Sequence, residues 1–543
     1  MSSPGAASEP TRRALPLILI RGFGGLSVED EKQIAYQGFN DGTVYPQKRG
    51  ENYIYEGLIL RLMKSDWEYH DATNVVGYYA DPIRQAPEIP PQLEGFDPSF
   101  FSGSKIVIDP AMALALRRSS HDVMRSVWVF RYYDLNDRMF GTYGAALVRL
   151  IDFIRELARQ ENGELPRVNV IAHSMGGLLV REAVQKTYPN ADRSAAEYIN
   201  KIVTLGTPHQ GISFEIFRNW IPFADEAQQE ILHFNPEFQA NEQEAASFKN
   251  FGKHFPLERL LTVVGTNYRT YGVRAASFLN RLFSVSGEYG PTYNRSDGLV
   301  KQALAQIPGA PRTFVHKCHG GPDSLVTSRE AYEVATRFFF GNVRARLRLV
   351  SAEILRGLDW FGKSEVFFGV SIKPRRVDFD LFHQSAEAEN CYGPFSQTDL
   401  NDASATFGWA GPDRLIWEGY LDVSRILADE SITVKDMVLR LDVYVGERDA
   451  FGIGFSDNTI FRKQYYVRAV LNPLTLYLHA DESFASPGFQ PRDEDRMQVA
   501  GGGWEFMVSG TGFRGTFRIE LDVVPEAGAP QPIPAGASLT GGS

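Results

Sequence analysis

Ser174 stands in the run Ala172-His173-Ser174-Met175-Gly176-Gly177, with a small residue two positions away on either side. A serine hydroxyl is a weak nucleophile at neutral pH. It attacks a carbonyl only when a base takes its proton, an acid orients that base and N–H donors hold the resulting oxyanion. Small neighbours let a strand turn sharply into a helix and lift the hydroxyl clear of the sheet. The β-branched run Val168-Asn169-Val170-Ile171 reads as a buried strand, and the apolar spacing from Leu178 onward reads as a helix. Ser174 is therefore the candidate nucleophile, and the amide of Met175 one candidate oxyanion donor.

The other parts must come from elsewhere in the chain. The strand Leu17–Ile20 runs into Arg21-Gly22-Phe23-Gly24-Gly25, which lacks the lysine and spacing of a phosphate-binding loop. A glycine turn after an early strand can instead supply a second oxyanion amide, here that of Phe23. Asp297, in Arg295-Ser296-Asp297-Gly298-Leu299-Val300, is the candidate acid. Two histidines compete as base: His319 on the loop past the strand Arg312–Lys317, and His316 within it. His319 is preferred because a loop position leaves the ring free to reach the nucleophile, and His316 is the alternative. His209, in Leu205-Gly206-Thr207-Pro208-His209, follows the strand next to the elbow and would break the order serine, acid, histidine, so it is given a loop-packing role.

The elements that position these residues alternate strand and helix: Ser126–Asp134 as strand, Gly144–Arg159 as amphipathic helix, then the elbow, Lys201–Leu205 and Leu260–Gly265 as strands, and a final helix capped at Ser328 that ends near Phe340. That rhythm predicts a mostly parallel sheet with helices on both faces. Two insertions interrupt it, at about 26–125 and 212–257. The first contains a helix around Tyr53–Leu62 and an irregular Pro- and Phe-rich stretch expected at the mouth of the site. The second opens with Phe214, Phe217 and Trp220, whose aromatic side chains suit a lid or substrate contact, with core packing as the alternative.

The 543 residues carry a formal charge of −10, with no basic stripe, which argues against nucleic acid as a partner. The early apolar run Leu15–Ile20 is too short for a membrane span and lacks a signal-peptide cleavage site, so a cytoplasmic protein is expected, with non-classical secretion as the alternative. The two cysteines, Cys318 and Cys391, are too few for a disulfide framework.

Together, Ala-His-Ser-Met-Gly-Gly, Leu-Gly-Thr-Pro-His-Gln-Gly, Ser-Asp-Gly-Leu-Val and the late histidine resemble the α/β-hydrolase lipases and esterases, including bacterial lipases, and their acyltransferase relatives such as lecithin:cholesterol acyltransferase. The resemblance covers roughly Leu17 to Phe340. Ala172 replaces the first glycine of the elbow pattern, and Arg21 stands where many relatives have histidine. The resemblance implies a serine carboxylic-ester hydrolase acting on lipid or other acyl esters through an acyl-enzyme, with Ser174, Asp297 and His319 as its triad, Phe23 and Met175 as its oxyanion hole, and no cofactor required. Acyl transfer or phospholipase action by the same residues is the competing enzyme reading; a non-catalytic lipid-binding or scaffold protein is the reading from another class.

From about Val343 the pattern changes to strict alternation, as in Ala345–Val350, Leu439–Val445 and Thr516–Val523, which predicts an all-β sandwich. The expected organisation is a disordered tail over 1–13, a catalytic domain over 14–341, a sandwich over 342–525 and a second disordered tail over 526–543. Leu355–Phe367 resembles the first calcium loop of the lipid-binding sandwich domain of protein kinase C. That resemblance implies calcium ligands at Asp359, Glu365 and Asp449, and contact with a membrane or lipid interface. A plain structural sandwich without metal is the alternative.

Overall fold

The computed structural model describes residues 14–22, 57–72, 75–77, 88–102, 107–119, 122–130, 140–212, 232–268, 296–320, 323–355, 364–375, 377–386, 388, 390–396, 414–423, 436–449, 458–485, 489–525 and 530–539. The chain divides into two compact units, one formed by Ala14–Arg312 with His316–Ala335 and the other by Thr336–Ser543 with Thr313–Val315. Among the described residues, no helix is long and apolar enough to cross a membrane.

The main sheet has seven strands. In chain order they are β1 (Leu17–Ile20), β2 (His70–Asp71), β5 (Ser126–Phe130), β6 (Val168–His173), β7 (Ile199–Leu205), β8 (Leu260–Gly265) and β9 (Arg312–Val315); the two-residue strands β3 (Val76–Gly77) and β4 (Val107–Ile108) form a separate antiparallel pair. The order across the sheet is β2-β5-β1-β6-β7-β8-β9. The pairs from β2 through to β8 are parallel. Every residue of β1, β5, β6 and β8 is buried, as expected for parallel strands covered on both faces.

The helices that matter to the site are α1 (Leu58–Lys64), α2 (Pro110–Arg118), α3 (Phe140–Leu157), α4 (Met175–Glu182) and α5 (Arg329–Phe340). In α3 the stripe Leu147, Leu150, Ile151, Ile154 and Leu157 recurs at helical spacing and is buried. At the start of α5 the Ser328 hydroxyl accepts from the Ala331 amide at 3.0 Å, which satisfies one first-turn donor.

Two expectations about the first insertion change. It contributes β2, the edge strand of the main sheet, so it is part of the fold. In its Pro- and Phe-rich stretch, the described rings of Phe96, Phe100 and Phe101 pack against Phe153 of α3 at 5.4–6.0 Å, so here the aromatics bury the outer face of a helix.

The second unit has two antiparallel sheets. One is built from β10 (Val343–Ile354), β13 (Leu415–Leu421), β17 (Gln498–Ala500), β18 (Gly503–Ser509) and β19 (Phe513–Val523); the other from β11 (Ser364–Pro374), β12 (Tyr392–Phe395), β14 (Asp436–Asp449), β15 (Asn458–Leu471) and β16 (Leu474–His479). The burial of β10 alternates along its first eight residues, which leaves Arg344, Arg346 and Arg348 on the outer face. There they pair with Asp522 and Glu520 of β19 at 2.8–3.0 Å. On the inner side the two sheets meet through Phe368, 5.9 Å from Phe517, and Phe461, 5.4 Å from Phe513.

The second expected tail is a correction. Residues 530–539 are docked: β20 (Gln531–Pro532) pairs with β19, and the Leu539 amide donates to the Leu471 carbonyl at 2.9 Å. The physical reason is that Ile533 is buried and the chain here fills backbone hydrogen bonds that β19 and β16 leave open at their edges.

Candidate active site

The carboxyl ends of β6, β7, β8 and β9 lie along one edge of the sheet, and residues of the site follow them: Ser174 after β6, Gly206 after β7, Asp297 beyond β8 and His319 beyond β9. In open parallel sheets this is where ligands bind. Ser174 has φ 53° and ψ −126°, outside the regions open to most residues, and its side chain does not cap α4. What holds it there is its amide, which donates to the Leu205 carbonyl at 2.9 Å. The turn requires glycine on its helical side. A Cβ on Gly176 would come within 2.5 Å of the Arg21 carbonyl oxygen, and one on Gly177 within 2.1 Å of the Thr207 hydroxyl.

His319 Nε2 lies 2.9 Å from the Ser174 hydroxyl, and His319 Nδ1 lies 2.8 Å from Asp297 Oδ2. The other carboxylate oxygen of Asp297 accepts from the amides of Leu299 at 3.0 Å and Val300 at 2.7 Å. The Asp-Gly turn thereby orients the carboxylate. The His319 amide also donates to the Asp297 carbonyl at 2.8 Å, which ties the two loops together. All three side chains are buried. A serine hydroxyl on an imidazole whose far nitrogen faces a buried carboxylate can pass its proton to the ring as it attacks a carbonyl. This is the α/β-hydrolase fold.

The remaining candidates separate clearly. His316 Nδ1 lies 3.1 Å from the Thr266 hydroxyl, and His209 Nε2 2.9 Å from the Thr204 hydroxyl; the serine meets His319 alone of the three. Met175 is buried at the first position of α4, where amides have no partner within the helix. Phe23 and the lid residues Phe214, Phe217 and Trp220 lie outside the described residues. So does Asp359. Glu365 and Asp449 fall on adjacent rungs of the β11–β14 ladder, opposite Arg448 and Ser364 respectively. Among the described residues no group of three or more His, Cys, Asp or Glu is placed to hold a metal ion.

Three features of the site were missed in the sequence. Gly206, with φ 56°, sits where a Cβ would be 2.8 Å from Asp297 Oδ2 and 3.2 Å from His319 Nδ1; the Leu-Gly-Thr-Pro turn after a strand was its signal. His173 underlies the base, its Nε2 donating to the His319 carbonyl at 2.9 Å. The third is the support of α4, which is buried along its whole length and includes Arg181 and Glu182. Arg181 donates to the His209 carbonyl at 2.7 Å, to Gln239 at 2.7 Å, to Gln185 at 3.0 Å and to the Ala246 carbonyl. Burial pushes its guanidinium down to about 9, against the pull of Glu182, so it stays charged at neutral pH. Burial also pushes the Glu182 carboxyl up, but hydrogen bonds from His233 and Lys186 outweigh that and hold it below the ordinary range. Replacing Arg181 with methionine leaves four acceptors without their donor, and urea unfolding at pH 7 should show a loss of more than about 3 kcal/mol.

Burial, reinforced by the neighbouring His319 ring for His173 and by the Arg181 guanidinium for His209, holds both well below the usual histidine range. The folded state therefore refuses protons that the unfolded chain takes up near pH ~6.5. Stability should be flat above that pH and fall below it, by up to about 1.4 kcal/mol per pH unit for each histidine. A urea midpoint that stayed constant from pH 7 to 5 would contradict this.

Residues 111–237 match the family described as a PGAP1-like alpha/beta domain. No curated protein matches the chain. Among solved structures, the chain is similar to the Bacillus licheniformis lipase BlEst2 in its propeptide form, at 10% identity over 86% of this chain and 96% of that one, with a TM-score of 0.31. It is similar to phospholipase PlaB from Legionella pneumophila at 12% identity over 62% and 81% of the two chains, with a TM-score of 0.27. Lipase 1 from Pelosinus fermentans is 12% identical over 60% of this chain and 98% of its own, with a TM-score of 0.28.

Proposed function

We propose that the protein is a serine carboxylic-ester hydrolase, a lipase or esterase acting through an acyl-enzyme. The observation that carries this reading is the continuous hydrogen-bonded line from the Ser174 hydroxyl through His319 to Asp297, at 2.9 and 2.8 Å, on a strand-to-helix turn. Ser174 Oγ attacks the ester carbonyl carbon while its proton passes to His319 Nε2. Asp297 accepts from Nδ1–H throughout, which fixes the tautomer and stabilises the imidazolium. The amide of Met175, with that of Phe23, holds the oxyanion. Collapse of the tetrahedral species breaks the ester bond, and the alcohol leaves with the proton from His319. Water, deprotonated by the same nitrogen, then attacks the acyl-enzyme and releases the carboxylic acid and free Ser174. No cofactor enters these steps.

The test is a panel of p-nitrophenyl esters from short to long chain, beside emulsified triglyceride and phospholipid, with two variants. His319→Ala should cost roughly four to six orders of magnitude in kcat/KM, as removal of either member of a nucleophile–base unit does, while His316→Ala costs less than about tenfold. The reverse ranking would move the base to His316, and a chain inert on every ester would overturn the reading.

A further inference from the structure

We infer that His173 is a positioning residue for the base: its Nε2–H, bonded to the His319 carbonyl at 2.9 Å, holds the His319 ring on the nucleophile. This rests on the ester-hydrolase reading and says what makes its triad rigid. His319 is followed in the chain by Gly320 and Gly321, the residue type with the greatest backbone freedom, so the base must be held from outside its own loop. Three residues hold it. Asp297 takes the His319 amide on its carbonyl at 2.8 Å and faces Nδ1 with its carboxylate at 2.8 Å, Ser174 meets Nε2 at 2.9 Å, and His173 donates to the carbonyl. The donor to the carbonyl and the nucleophile are consecutive residues. The elbow therefore grips the backbone of the base and meets its ring at once, which fixes the distance across which the proton passes.

The chemistry of the side chain suits the place. A carbonyl oxygen only accepts, so Nε2 of His173 carries the ring's proton. The residue is 4% exposed, and its ring centroid lies 4.8 Å from that of His319. A second positive charge there would oppose the imidazolium that His319 becomes as it takes the serine proton. Burial, with the His319 ring beside it, holds His173 well below the usual histidine range, so it stays neutral through the cycle. A lysine or arginine could donate the same hydrogen bond but would bring that charge.

The test compares His173→Met with His173→Gln in the full chain, two unbranched side chains of similar length, of which only glutamine carries an N–H at the place of Nε2. The probe is a fluorophosphonate, which needs no ester substrate: Ser174 Oγ bonds to phosphorus, the P–F bond breaks, fluoride leaves and the hydroxyl proton passes to His319. In the methionine variant the maximal rate of capture should fall about tenfold at an unchanged half-saturating concentration, the worth of one lost hydrogen bond, and glutamine should restore it to within about threefold of the wild type. A merely structural hydrogen bond would shift the urea midpoint and leave the capture rate of the folded protein as it was. If circular dichroism shows that the methionine variant fails to fold, His173→Asn replaces it, since its shorter amide stops short of the carbonyl. A methionine rate within about threefold of the wild type, or a glutamine variant as slow as methionine, overturns this inference alone. No capture by the wild type, or capture that persists in Ser174→Ala, brings down the ester-hydrolase reading with it.

Discussion

Ser174→Ala should lower ester hydrolysis by roughly four to six orders of magnitude, the loss that follows removal of a nucleophile acting as one unit with its base. The variant should keep its fold. The Ser174 side chain does not cap α4, and the backbone bond that holds the turn, from its amide to the Leu205 carbonyl, survives in alanine. The Cβ of alanine also matches that of serine, so the strained φ of 53° gains no new clash. The measurement is the p-nitrophenyl ester rate beside a urea unfolding curve. A folded variant with undiminished activity would sink the serine mechanism.

Asp297→Asn should cost about 10⁴-fold in kcat with little change in structure, and the reason lies in which oxygen does what. One carboxylate oxygen accepts from the Leu299 and Val300 amides, so in the amide variant the carbonyl oxygen must stay there. The NH₂ group then faces His319 Nδ1, where the carboxylate oxygen stood at 2.8 Å. Facing a donor, Nδ1 must accept, so the ring proton moves to Nε2. A ring protonated at Nε2 cannot take the Ser174 proton. KM should change little, because Asp297 touches the imidazole and no substrate atom. A loss shared equally between kcat and KM, or a loss below tenfold, would mean that Asp297 does not set the tautomer.

The turn that carries Ser174 was legible in the sequence because its causes are local. A β-branched run makes the strand, Ala172 and Gly176 remove the side chains that would collide, and the apolar spacing after them makes the helix. The alternation that builds the sandwich was legible for the same reason, since period two along β10 and β19 is written in neighbouring residues. The choice between His316 and His319 is of another kind. The loop position of His319 favours it over His316 in the sequence, but three residues apart near the end of one strand the two stay in competition there; what separates them is that the loop after β9 turns one ring toward residues 297 and 174 while the other meets Thr266.

The same limit hid β2, too short at two residues to show a period, and the docked chain over 530–539, whose Pro- and Gly-rich composition carries no trace of the open strand edges that it satisfies. It hid the support of α4 as well. Arg181 in a buried helix reads locally as a charged residue on a solvated face, and its acceptors at His209, Gln239 and Ala246 lie 28 to 65 residues away. Local residue types determined where the nucleophile turn and the strands form. Which side chains meet across the sheet's carboxyl edge was decided by tertiary packing, because those distances depend on every element between the residues concerned.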